Sequence, residues 1–163
     1  SHQLKQFDKK KNNIVTHQLF YNFLKRLIFE QVIGSSSDHK YILYGVLGRG
    51  VLTSKYFNYS DIKANNRASK SKNVMSDLKK EVINELISFN KKLNDFGTNL
   101  LEYSFSEAMS RENVVSCIIG LRKKTQLKEI INIYKKNIPI KSLRKYEPKK
   151  ISDLVNLGEP EIK

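Results

Sequence analysis

Residues Val114–Ile130 read VVSCIIGLRKKTQLKEI. A short run rich in β-branched residues meets Gly120, and Arg122, Lys123 and Lys124 follow almost at once. Leu127, Ile130, Ile131 and Tyr134 then recur at helical spacing, which predicts a helix over Thr125–Lys136. Strand, turn and helix N-terminus in this order are the repeating unit of parallel α/β sheets. Three cations at the start of a helix oppose its macrodipole. An anion shared between the basic turn and the first free N–H groups would remove that conflict, with Gly120 letting the backbone approach it. Spacing alone leaves two readings open, a phosphate site and a solvated basic turn.

The same alternation extends towards the N-terminus. Ile14–Leu19 (IVTHQL) reads as a buried strand, Tyr41–Tyr44 (YILY) as a second strand and Val114–Ile119 as a third. Between the first two, Phe23–Ile33 has helical spacing and ends at Gly34 and three serines. Gly45–Gly50 (GVLGRG) is a glycine-punctuated loop directly after a strand, and Asn58–Asn73 lacks apolar periodicity and reads as an exposed loop. Ser76 is placed to cap a helix to Asn94 with Leu78, Val82, Ile83, Leu86, Ile87 and Leu93 on one face. Gly97 closes that helix, Thr98 or Asn99 caps the next, and Leu101, Phe105, Ala108 and Met109 form its expected buried stripe. Past Pro139 the pattern loosens, with one short helix expected near Ile151–Leu157. Three parallel strands are few for a sheet that needs cover on both faces, so completion by another copy or by a larger barrel is expected.

The 163 residues suffice for one domain. No apolar run is long enough for a membrane span, and the polar start has no signal-peptide pattern. That start, Ser1–His2 without an initiator Met, reads as a cloning scar on a polar segment, 1–13. Cys117 is the only cysteine, so no internal disulfide forms; it reads as a small core residue in a cytoplasmic protein. The net charge is +14, and residues 121–150 carry eleven Lys and Arg against Glu129 and Glu147. Such a surface permits binding to nucleic acid without requiring it. His2, His17 and His39 have no metal-ligand spacing, and no nucleophile–histidine–acid set is suggested. The GVLGRG loop is not a P-loop, because the Gly-Lys-Ser/Thr ending is absent.

Three motifs, in order, resemble the C-terminal part of the aldo/keto reductase family. Gln18-x-x-Tyr21-Asn22-x-Leu24-x-Arg26 resembles the family's Q-x-x-Y-N-L-L-x-R at its sixth barrel strand. Residues 44–56, YGVLGRGVLTSKY, resemble Y-S-P-L-G-R-G-x-L-T-G-K-Y at the seventh. Gly120-x-Arg122-x-x-x-Gln126-Leu127-x-Glu129 resembles G-A-R-x-x-x-Q-L-x-E-N at the eighth. The resemblance implies an α/β fold, a partial (β/α)8 TIM-type barrel of parallel strands with outer helices that lacks the N-terminal strands. It implies NADP as cofactor: Gln18 on the nicotinamide amide, Tyr44 against the nicotinamide ring, and Leu47, Gly48, Arg49 and Gly50 along the pyrophosphate. Arg122 would hold the adenosine 2′-phosphate, Gly120 is a cofactor-binding residue of the same motif, and Gln126 and Glu129 would approach the adenine side. The family's Ser and Pro after the tyrosine are Gly45 and Val46 here, the Gly before Lys55 is Ser54, and its final Asn is Ile130. The family's catalytic Asp, Tyr, Lys and His lie on strands with no counterpart in this chain, so no catalytic residue is assigned.

The expected organisation is a polar segment 1–13, a partial barrel 14–137 and a basic C-terminal extension 138–163. The expected function is the cofactor side of an NADP-dependent oxidoreductase. The alternatives are a non-catalytic half-barrel that binds or assembles with another protein, and a basic nucleic-acid-binding protein. The expected partners are a second copy or the missing N-terminal half.

Overall fold

The computed structural model describes residues 16–26, 29–30, 39–58, 74 and 77–151. All but Asn58 of the loop expected over 58–73, the capping role of Ser76, residues 27–28 and 31–33 of the helix expected over 23–33 and all but Ile151 of the short helix expected near 151–157 lie outside these residues. So does the segment 1–13.

Three parallel strands form one sheet in the order β1 (Thr16–Phe20), β2 (Lys40–Tyr44), β3 (Val114–Ile118). The helices are α1 (Lys80–Asn94), α2 (Leu100–Met109), α3 (Lys124–Lys135) and the single turn α4 (Ile140–Leu143). Strand order follows chain order, as successive staves of a (β/α) barrel do. The β1–β2 ladder is regular, pairing Gln18 with Ile42 and Phe20 with Tyr44. The β2–β3 ladder is not: Tyr41 pairs with Val114 but Ile42 pairs with Ser116, so Val115 is an extra residue. That bulge puts Val114 and Cys117, three positions apart, on the same side of the sheet, where both pack with Tyr41, Leu43 and Val46 against Ala108 of α2.

The second and larger cluster lies among α1, α2, the turn after β2 and the C-terminal segment. It joins Leu52, Val82, Leu86, Leu93, Leu100 and Tyr103 to Ile138, Ile140, Leu143 and Ile151. Thus the core continues past residue 137 into the stretch expected to be an extension; Pro139 ends α3's run and the next turn folds back beneath α1 and α2.

The helix ends follow local chemistry. Gly97 takes φ +69° and ends α1, and the Asn99 side chain accepts the Glu102 N–H at 3.0 Å to start α2. Several expectations shift. Helix α1 begins at Lys80, after the non-helical Leu78 and Lys79, and Phe89 takes the buried place expected for Ile87, which is exposed. In α2 the buried face is Leu100, Tyr103, Ser104, Phe105, Glu107 and Ala108, with Leu101 and Met109 only half-buried. Phe23 is in a turn, not a helix, because Asn22 accepts the Lys25 N–H through both its carbonyl and its side-chain oxygen. Strand β1, expected to be buried, is largely exposed, with only Phe20 buried, and no residue of β3 is buried either. Both lie at edges of the sheet among the described residues.

Candidate functional site

Parallel α/β sheets place ligands at the C-terminal ends of their strands. Here β2 ends in Gly45, at φ +78°, and enters a tight turn. A Cβ on Gly45 would stand 2.5 Å from the Phe20 ring, so glycine is required both by conformation and by space. Gly48, Arg49 and Gly50 also have positive φ, at 52°, 56° and 96°. The Gly48 N–H donates to the Gly45 carbonyl at 2.8 Å and the Gly50 N–H to the Leu47 carbonyl at 2.8 Å, which holds the loop in this form.

At the end of β3, Gly120 leads to Arg122 and α3. Gln126 explains how a helix begins beneath three cations. Its side-chain oxygen accepts the N–H groups of Arg122 (2.9 Å) and Lys123 (3.1 Å), while its own N–H donates to the Lys123 carbonyl at 3.1 Å. These are donors a helix start would otherwise leave open. The Gln126 oxygen expected to face adenine is therefore committed to the cap, which leaves its amide nitrogen to face a ligand.

The two loops meet across a cavity of about 610 Å³. Its walls include Leu47, Arg49 and Gly50 from the first and Gly120, Arg122, Gln126 and Glu129 from the second. Seven of the ten expected binding residues thus share one cavity. Gly48 is buried beneath it, as the turn of the loop. Gln18 and Tyr44 do not line it. They stand on the open face of the sheet, away from the α2 cluster: Gln18 is exposed beside Ile42, and Tyr44 is half-buried with its ring edge-on to Phe20 at 5.7 Å.

One further residue belongs to the cavity. Tyr56, held in the turn after the loop, is buried and lines the wall, and its hydroxyl has no hydrogen-bond partner among the described residues. The hydroxyl lies 3.8 Å from where a Cβ on Gly50 would be. A buried donor without a partner is costly, and it fits a ligand with acceptor oxygens between the loops. Tyr56 is the last residue of the second motif, which was its only signal in the sequence.

Behind the sheet lies a charged cluster that pattern reading did not find. Glu107 of α2 is fully buried; it accepts the Tyr21 hydroxyl at 2.5 Å and pairs with Arg111 at 2.7 Å and Arg144 at 3.2 Å. Glu147 accepts the Tyr103 hydroxyl at 2.5 Å and pairs with Arg26. Burial raises both tyrosines above their ordinary range, and the neighbouring carboxylates raise them further. Burial likewise raises the Glu147 carboxyl, against the pull of Tyr103 and Arg26. These groups tie the turn after β1 to α2 and to the C-terminal segment; they are buried away from the cavity. Across β1 and β2, the His17 and His39 rings are 3.0 Å apart at their nearest nitrogens. Among the described residues no group of three His, Cys, Asp or Glu is gathered as a metal site, and no helix is long and apolar enough to cross a membrane.

The three parallel strands with their helices have counterparts among known proteins. The aldo/keto reductase family profile matches residues 1–150, so the chain belongs to the aldo/keto reductase family. Among solved structures it is similar to the aldo-keto reductase AKR11C1 from Bacillus halodurans. The apo form matches at a TM-score of 0.61 and 17% identity over 98% of this chain and 50% of that one. The holo form matches at 0.61 and 18%, over 98% and 47%. The chain thus spans about half the length of the structures it matches. No curated protein sequence matches it.

Proposed function

We propose that this chain is the cofactor-holding C-terminal part of an NADP-dependent oxidoreductase of the aldo/keto reductase type. The observation that carries the reading is the meeting of two motifs, separate in sequence, across one cavity: the Leu47–Gly50 loop on one wall and Arg122 on the other. Arg122 holds the 2′-phosphate, the feature that separates NADP from NAD, and a guanidinium suits it better than a lysine because it offers paired donors. Lys123 and Lys124 add field without geometry. The Leu47–Gly50 loop and the Tyr56 hydroxyl face the pyrophosphate. Glu129 and the Gln126 amide lie towards the adenosine end. Gln18 and Tyr44, on the open face of the sheet, take the nicotinamide: the amide group binds to Gln18 and the ring packs on Tyr44.

When bound, the cofactor supplies hydride to a carbonyl carbon. This chain's own residues orient it. Reduction also requires a proton donor at the developing alkoxide, a role assigned to the family's N-terminal strands, which the chain does not span. The exposed flank of β3 and α3 favours a second reading, a half-barrel that serves as a binding module without catalysis.

The adenosine end can be tested on this chain by itself. Adenosine 2′,5′-bisphosphate and 5′-AMP are titrated by calorimetry against the wild type and Arg122→Ala. The bisphosphate should bind about tenfold or more tightly than 5′-AMP, and Arg122→Ala should remove the difference. Equal binding of the two by the wild type would refute the assignment.

A further inference from the structure

A second cavity, of about 430 Å³, opens between α1 and the C-terminal segment and shares no wall residue with the first. Its buried lining is apolar, from Phe89 of α1 and Pro148. Its rim is charged. Lys92 stands on α1, and Lys145, Lys149 and Lys150 stand on the C-terminal segment. Two carboxylates belong to the same wall, Glu85 and Glu147. Glu147 is already committed inward, to the Tyr103 hydroxyl and to Arg26. That leaves Glu85 against four ammonium groups.

Lys92, Lys145 and Lys150 make no ion pair among the described residues. Lys92, in the last turn of α1, suits the helix dipole. The lysines opposite it have no such reason to gather there. Lys145 is held at the rim, with its Nζ 4.9 Å from the centre of the Tyr146 ring, and that ring packs on Phe96 at 5.6 Å. Like charges drawn together repel, and an anion shared among them would reverse the sign of the interaction.

We propose that this cleft binds a compact oligophosphate, a small ligand that carries three or more phosphate charges in a short chain. Lysine suits such a ligand, because an ammonium is a point charge that asks no fixed orientation of the anion. The cavity has the size of a small-ligand site. Charge density selects an oligophosphate over an acidic peptide, whose carboxylates each bring one charge on a side chain that must be ordered. Concavity selects it over a nucleic-acid strand, which would run along the wider basic surface and draw equally on the lysines of α3. The inference is independent of the cofactor reading.

The probe is inorganic tripolyphosphate, titrated by calorimetry into the full chain at low salt. One equivalent should bind. Lys145→Gln with Lys150→Gln should weaken binding about tenfold, and Glu85→Gln should tighten it about twofold. Lys124→Gln with Lys128→Gln removes the same charge from α3, and Arg122→Ala removes the guanidinium of the first cavity; each should change binding by less than about twofold. The exchanged lysines are exposed, so the circular dichroism spectrum should not change. No binding, equal losses from the two lysine pairs, or a loss confined to Arg122→Ala would overturn the proposal. So would hexaglutamate that binds as tightly as tripolyphosphate, which would give the cleft to acidic peptides. An oligothymidylate that binds more tightly through the same lysines would overturn it in favour of nucleic acid. Failure of the chain to bind adenosine 2′,5′-bisphosphate leaves this test unaffected.

Discussion

Tyr21, the first residue after β1, donates its hydroxyl to the buried Glu107 of α2 across 2.5 Å. That single bond joins the turn after the first strand to a helix 86 residues away. Glu107 also pairs with Arg111 and Arg144, so its removal takes that counter-charge from both and leaves Arg111 only the longer contact to Glu30 at 3.8 Å. Glu107→Ala should cost about 3–5 kcal/mol in chemical denaturation, because the guanidinium groups lose their counter-charge in a partly dry site. Tyr21→Phe keeps the ion pairs and should cost about 1–2 kcal/mol. If the two variants cost the same, the ion pairs contribute little.

Gln126 closes the start of α3 with its side-chain oxygen. Gln126→Ala should lower stability by about 1 kcal/mol, the usual worth of a cap, and reduce helical signal. Gln126→Glu keeps the oxygen and adds a charge the helix N-terminus favours, so it should be neutral or stabilising. A Gln126→Glu variant less stable than Gln126→Ala would show that the cap is not what matters there.

Gly45 is fixed twice, by φ +78° and by the Phe20 ring. Gly45→Ala should therefore destabilise by about 1–3 kcal/mol from backbone strain, with the ring clash added. Adding Phe20→Leu relieves the clash but not the strain, so the double variant should recover only part of the loss. Full recovery would assign the whole effect to packing.

Burial pushes the Cys117 thiol up to about 12 from 9.0, with a smaller push from Glu107. Folding thus favours the protonated thiol. The linked stability is fully present below pH 9 and is lost as pH rises from there towards 12, because only the unfolded chain releases its proton in that window. At pH 8 the native thiol should react with iodoacetamide at least on the order of a hundredfold more slowly than in denaturant. Equal rates in the two conditions would show an accessible, ordinary thiol.

The strands, the cap at Asn99, the stop at Gly97 and the basic turn were all legible, because each is specified by residues a few positions apart. The exposure of β1 and β3 was not. Their composition is that of buried strands; they are exposed as the two edge strands of the sheet among the described residues. The buried face of α2 was misread where Tyr103 and Glu107 point inward, since a polar residue at a core position is visible only through its partners, here Tyr21, Arg26, Arg111, Arg144 and Glu147. The segment after Pro139 looked loose because its apolar residues are sparse, yet Ile138, Ile140 and Leu143 reach the main core. Of the candidate site, the loops were legible as motifs. The commitment of the Gln126 oxygen to the helix start and the unpartnered hydroxyl of Tyr56 needed coordinates.

The extra residue at Val115 determines which changes in length β3 can absorb. Deleting Val115 would regularise the ladder and leave Ser116, Cys117 and Ile118 opposite the same residues of β2, so the cavity wall at Gly120 and Arg122 would keep its height. Deleting Ser116 instead would put Val115 opposite Ile42, and deleting Cys117 would put Ser116 opposite Leu43 in the core, with the later register kept in each case; a second deletion would turn the later side chains to the other face. The strand therefore has one residue of spare length, taken up at the end away from the ligand.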